Sequence, residues 1–153
     1  MQKITPFLWF DDNAEEAAQY YLGIFPNSKI LKVVRYTETG PGPAGKVLTV
    51  NFELDGREFT ALNGGPQFKF SEAISFVVSC ETQAEIDRLW GALAVDGKEG
   101  QCGWVRDKYG LWWQLVPRIL PELLGGGDRA RAARAMQAMM KMSKLDIAAL
   151  RDA

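Results

Sequence analysis

The pattern of the chain repeats. Asn13-Ala14-Glu15 and Gln83-Ala84-Glu85 open two helical segments about one module apart, and each segment follows one apolar strand pattern and precedes others. In the first module Ile4 to Phe10 reads as a strand rich in aromatic and branched residues. The helix after it has N-cap candidates in Asp11-Asp12-Asn13, acids Glu15 and Glu16 in its first turn, and Ala14, Ala17, Ala18, Tyr21 and Phe25 at helical spacing. Pro26-Asn27-Ser28 stops it. Ile30 to Tyr36 and Val47 to Leu54 read as strands joined by the glycine- and proline-rich loop Thr39 to Gly45. Asp55-Gly56 then signals a tight hairpin that returns through Arg57 to Leu62.

After the break at Asn63-Gly64-Gly65-Pro66 the same order resumes. Ile74 to Ser79 reads as a strand, and Thr82 to Leu93 as a helix with Ile86, Leu89, Trp90 and Leu93 on one face. Beyond Asp96-Gly97 a weakly written strand precedes Cys102. Trp104-Val105-Arg106 and Leu111 to Val116 form strands around the turn Asp107-Lys108-Tyr109-Gly110. The expected fold class is α+β, two tandem βαβββ modules at about 1–66 and 67–124, followed by a helical extension at 125–153. That extension starts at Gly125-Gly126-Gly127, read as a hinge or C-cap, and continues as a helix capped by Asp128. Met136, Met139 and Met140 share one face of it, and Leu145, Ile147 and Leu150 mark a shorter second segment, stripes that imply packing in cis or on a partner subunit.

Composition narrows the chemistry. The chain has no histidine, which removes Ser-His-Asp triads, Cys-His pairs, HExxH zinc sites and imidazole proton shuttles. Lys+Arg number 18 against 19 Asp+Glu, a net charge of −1 that gives no broad attraction to nucleic acid. Cys80 and Cys102 lack CxxC spacing and read as inert reduced thiols, as in a cytoplasmic protein; activating either would need a neighbour such as Arg106. No apolar run reaches the ~18 residues of a membrane span. Glu53, Asp55 and Glu58 bracket a hairpin as a solvated edge, and the Gly125 triplet follows no apolar strand, so it is no phosphate cradle.

Several stretches carry a family resemblance: Pro6-Phe7-Leu8-Trp9-Phe10 running into Asn13-Ala14-Glu15-Glu16-Ala17, Phe59 to Pro66, Ser75 to Cys80, and above all Cys102 to Pro117 with its Asp-x-x-Gly turn. Together with the duplicated βαβββ unit they resemble the vicinal oxygen chelate (glyoxalase/bleomycin-resistance/dioxygenase) superfamily. Within it, the wording is similar to the PhnB-like family that bears the domain name 3-demethylubiquinone-9 3-methyltransferase. The tail Met139 to Ile147 also looks like the ending of that family. The resemblance implies modules curled into open cups, a homodimer, and a small organic ligand held in the sheet cup.

Metal-dependent members of the superfamily place ligands on the first and last strands of each module. Those positions fall here near Thr5 or Pro6, at Ala73, at Ala61 to Asn63 and at Gln114, a set without the charge a divalent ion needs. No metal and no cofactor are therefore expected. The expected ligand-binding residues are Gln114, Trp112, Thr5, Asn63, Ser75 and Trp104. Alternation puts Trp112 beside Gln114 on one face and turns Trp113 and Leu115 to the helix layer. Trp9 and Trp104 also fit a plain core role, Asn63 a tight turn, and Gln114 a structural bond to a neighbouring strand. A binding protein is the expected class; the alternative is an enzyme, either metal-assisted like a lyase, isomerase or dioxygenase, or methyl-transferring. A methyl donor is usually held by a doubly wound sheet with a Gly-rich first turn, which this pattern lacks.

Overall fold

Strand alternation builds the first sheet around one helix. The computed structural model describes residues 2–153, and Met1–Lys69 forms its first compact unit. The elements of that unit are β1 (Phe7–Phe10), α1 (Ala14–Ile24), β2 (Lys29–Arg35), β3 (Val47–Leu54) and β4 (Arg57–Asn63), with sheet order β1-β4-β3-β2. β1 runs parallel to β4, and the other pairs are antiparallel. Phe52 and Phe59 are cross-strand partners that stack 5.5 Å apart, and Tyr21 of α1 lies 6.4 Å from Phe52. Burying such rings stabilises by roughly 1.5–3 kcal/mol each, which fixes that face of β3 and β4 against α1. Asp55 and Gly56 turn the hairpin with φ of 49° and 77°, the left-handed pair that a two-residue loop requires.

β1 is shorter than the apolar run Ile4 to Phe10 implies. Pro6 has no N–H to give the ladder, so pairing starts at Phe7, although the Pro6 carbonyl still accepts from Thr60 N at 3.0 Å. The cap of α1 also differs. Asn13 occupies the N-cap position without a side-chain bond, and Asn63 Oδ1, at the end of β4, accepts from Ala14 N at 2.8 Å instead.

The second unit, Phe70–Ala153, repeats the plan with β5 (Ser75–Cys80), α2 (Gln83–Ala94), β6 (Lys98–Glu99), β7 (Trp104–Arg106) and β8 (Trp112–Pro117), in sheet order β5-β8-β7-β6. Thr82 caps α2 by accepting from Glu85 N at 3.1 Å. The α+β duplication read from the sequence is the fold, and the structure adds that the first and last strands of each module pair in parallel.

The turn between β7 and β8 is closed by a carboxylate. Asp107 is 1% exposed; its Oδ1 accepts from Tyr109 N at 2.8 Å and Leu111 N at 3.1 Å, and its Oδ2 from the Trp113 indole at 2.9 Å. Gly110, with φ of 94°, completes the turn by donating to the Asp107 carbonyl.

The tail forms α3 (Leu120–Gly125), α4 (Arg129–Met140) and α5 (Ile147–Arg151), capped by Asp128 and Asp146 at α4 and α5. α3 has no periodic signal of its own in the sequence; Gly126 is its C-cap. The methionine face divides: Met139 packs on a cluster of Leu120, Leu145 and Leu150, whereas Met136 and Met140 are exposed. The tail docks in cis on the second module. Cys102 N and Gly103 N donate to the Met142 and Ser143 carbonyls at 2.8 Å. Gln83 Nε2 donates to Leu145 O at 3.0 Å, its Oε1 accepts from Ile147 N at 2.8 Å, and Lys144 pairs with Asp87 at 2.8 Å. Lys144 and Gln83 hold the exposed Asp87 carboxyl below its ordinary pKa, so the contribution of that contact is complete above the carboxylate range and is lost as pH falls through the lowered value.

Asp107→Asn keeps two acceptor contacts but turns an N–H₂ toward the Trp113 indole N–H. The expected cost is about 1–3 kcal/mol, and Trp113→Phe in the Asp107→Asn background costs less than in wild type. Urea unfolding of the two single variants and the double variant measures this coupling; strictly additive losses would contradict the assigned hydrogen bond.

Candidate ligand-binding face

Register decides which side chains share the second face of the second sheet. Ser75 pairs with Trp112, Trp104 with Gln114, Val77 with Gln114, and Arg106 with both Trp112 and Lys98. Side chains directly opposite one another point to the same side. Two rows therefore cross this face. One runs Lys98, Arg106, Trp112, Ser75 and the other Trp104, Gln114, Val77. The alternate residues Phe76, Cys80, Trp113 and Leu115 belong to the α2 side, where Glu85 of α2 lies close to the Cys80 thiol.

Four of the six residues expected from the sequence thus come together. Gln114 Nε2 donates to Ser75 Oγ at 2.8 Å, which leaves the serine proton free to donate and the glutamine Oε1 free to accept. Trp104 and Trp112 meet edge to face, with centroids 6.2 Å apart. Trp112 is only 7% exposed and supplies the apolar floor, while Trp104 and Gln114 are half-buried. Gly100 belongs to this arrangement, since a Cβ there would stand 3.1 Å from Trp112 Cζ3 and 2.8 Å from the Trp104 carbonyl.

The other two expected residues lie in the first unit. Thr5 is half-buried and precedes β1. Asn63 is on the α1 side of its sheet, where its amide is engaged at both ends: Oδ1 caps α1 and Nδ2 donates to Val47 O at 3.0 Å. Trp9, expected in the core, is half-buried on the opposite side, donating to Gly65 O at 2.9 Å with Phe68 edge-on at 4.8 Å. Val77, Lys98 and Arg106 are face residues that the sequence reading missed. The signal for Arg106 was available, because it alternates with Val105 beside an identifiable strand. Lys98 had none, as β6 is only two residues long.

Neither cysteine is at this face by strand parity or position. Burial, reinforced by the Glu85 carboxylate, pushes the Cys80 thiol up to about 12, so it is protonated at neutral pH. Cys102 is half-buried in the turn held by the tail. Among the described residues no group of three or more His, Cys, Asp or Glu is placed to hold a metal ion. No helix among them is long and apolar enough to cross a membrane.

This topology has known counterparts. The sequence profile of the family described as 3-demethylubiquinone-9 3-methyltransferase matches residues 2–116. Among solved structures, the chain is similar to a putative 3-demethylubiquinone-9 3-methyltransferase, PhnB protein, from Bacillus cereus. The identity is 41%, over 76% of this chain and 99% of that one, with a TM-score of 0.70. Protein PA1353 from Pseudomonas aeruginosa is 20% identical over 76% of this chain and 98% of its own, with a TM-score of 0.63. The fosfomycin resistance protein FosX from Listeria monocytogenes, solved with Mn(II) and sulfate, shares the fold at 14% identity over 82% of this chain and 98% of its own, with a TM-score of 0.54. No curated protein matches. Fold and matches define a protein built on the glyoxalase/bleomycin-resistance fold. The chain belongs to the PhnB-like, 3-demethylubiquinone-9 3-methyltransferase family. The family match stops before the tail, so the likeness read at Met139 to Ile147 lies outside it.

A thiol reagent such as 5,5′-dithiobis(2-nitrobenzoate) at pH 8 is expected to titrate Cys102 in the native protein and Cys80 only after denaturation. Rapid release of two equivalents from native protein would contradict the burial of Cys80.

Proposed function

We propose that this chain is a homodimeric binding protein that holds a small organic molecule on the second sheet's Trp104–Trp112–Gln114–Ser75 face. The observation that carries the reading is the Gln114–Ser75 hydrogen bond beside the tryptophan pair. It presents one free acceptor and one free donor next to an apolar wall, which is the composition of a small-molecule site. Binding there needs no charge transfer and no proton relay. Phe7, 60% exposed, and Val77, 59% exposed, are apolar residues on sheet faces, and covering them favours association with a second copy. The two unpaired cysteines favour a reducing compartment such as the cytoplasm.

The donor set at the superfamily's ligand positions does not fit a divalent cation. Thr5, Ala73 and Gln114 offer neutral oxygens or none, and the Asn63 amide is already committed to Ala14 and Val47. The second reading is the methyl transfer named in the family's description. Two four-stranded βαβββ sheets supply no Gly-rich strand-to-helix turn for a nucleoside methyl donor, and the reading rests on the family's name.

Native mass spectrometry of the purified full chain, before and after incubation with Zn²⁺, Mn²⁺, Ni²⁺ and Fe²⁺ and with S-adenosylmethionine, separates these readings. The expected spectrum is a metal-free dimer, with any carried-over organic mass reduced in Gln114→Ala. Uptake of one specific metal per subunit, or stoichiometric S-adenosylmethionine binding, would overturn the metal- and cofactor-free reading.

A further inference from the structure

The row Lys98, Arg106, Trp112, Ser75 holds a charge arrangement that the fold does not explain. Lys98 and Arg106 are direct cross-strand partners at the β6–β7 pair, so two cations stand side by side on one face. Like charges directly opposite on a sheet repel and are destabilising. Arg106 is half-buried, and no ion pair or hydrogen bond to its guanidinium, or to the Lys98 ammonium, occurs among the described residues. Two other cations of this unit are ion-paired, Arg118 with Glu81 and Lys144 with Asp87. Glu99, the acid next to Lys98 in β6, has the opposite parity and is engaged there, its Oε1 accepting from the Trp90 indole at 2.8 Å.

A planar fork of N–H donors, partly withdrawn from water and left without an anion, is matched to a carboxylate or another oxyanion. Arg106 also lies directly opposite Trp112, whose partner in the row is Ser75, the hydroxyl that accepts from Gln114. A molecule with an acidic end and an apolar ring therefore meets, in order along one row, two cations, an indole wall and a hydroxyl.

We propose that the ligand of this face is a small aromatic or otherwise apolar organic acid, whose oxyanion is bound by Arg106 with Lys98 beside it, and whose body lies on Trp112 and Trp104. The inference rests on the binding reading above and adds the ligand's charge class. Arg106 selects acids over their neutral analogues, while the Gln114–Ser75 pair and the tryptophans hold the body of either.

The test compares benzoate with benzamide by quenching of tryptophan fluorescence in the full chain. Wild type is expected to bind benzoate about tenfold or more tightly than benzamide, a preference that Arg106→Gln abolishes. Benzamide binding is weakened in Gln114→Ala. Arg106→Gln also relieves the repulsion with Lys98, so its thermal unfolding midpoint without ligand is equal to or above wild type. A preference that survives Arg106→Gln, or the absence of any preference for the acid in wild type, overturns the assignment. Benzamide binding that is indifferent to Gln114→Ala counts separately, against the location of the binding face itself.

Discussion

The Asp107 carboxylate holds the candidate face in register. The bonds it accepts from Tyr109 N and Leu111 N close the turn between β7 and β8, and another reaches across to the Trp113 indole on the α2 side. Because side chains alternate, securing Trp113 inward also places Trp112 and Gln114 outward. A slip of one residue would reverse them and separate Gln114 from Ser75. A buried carboxylate is tolerable here because it accepts from fixed donors, among them the Tyr109 and Leu111 amides and the Trp113 indole.

A second support comes from the tail. Gly103 N donates to Ser143 O while Gly103 O accepts from Leu115 N, so one residue links the docked tail to the strand that carries Trp112 and Gln114. Cys102 and Gly103 are both left-handed, with φ of 59° and 87°, an uncommon state for a non-glycine residue that the tail's carbonyls help to hold. Leu145, fully buried, packs against Gly103 closely enough that a Cβ there would come within 3.1 Å of its side chain. The tail is thus part of the second module's architecture, although the family match ends before it.

Local patterns made most of the fold legible. Period-two and period-3.6 spacing, Asp55-Gly56 and the repeated helix starts specify two βαβββ units without any long-range information. What the sequence hid is long-range in origin. The cap on α1 comes from Asn63, far away in the chain, and α3 is short and built around Pro121 and the Leu120 contact with the tail cluster. At the site, alternation along β8 was enough to group Trp112 with Gln114. Lys98 and Arg106 became visible as a pair only through β6–β7 register, because a two-residue strand has no period to read. Asn63 looked available from its position beside Gly64-Gly65, yet its amide bonds to α1 and β3, which no local pattern encodes.

The chain's five tryptophans make the location of the binding face directly measurable, since Trp9, Trp90, Trp104, Trp112 and Trp113 report on both sides of the sheets. The decisive measurement is an assigned ¹H–¹⁵N side-chain spectrum of the full chain titrated with benzoate. Joint movement of the Trp104 and Trp112 indole signals and the Gln114 amide, with Trp9 and Trp90 unmoved, is the predicted result. Shifts confined to Trp9 or Trp90, with Trp104, Trp112 and Gln114 unchanged, would contradict the account.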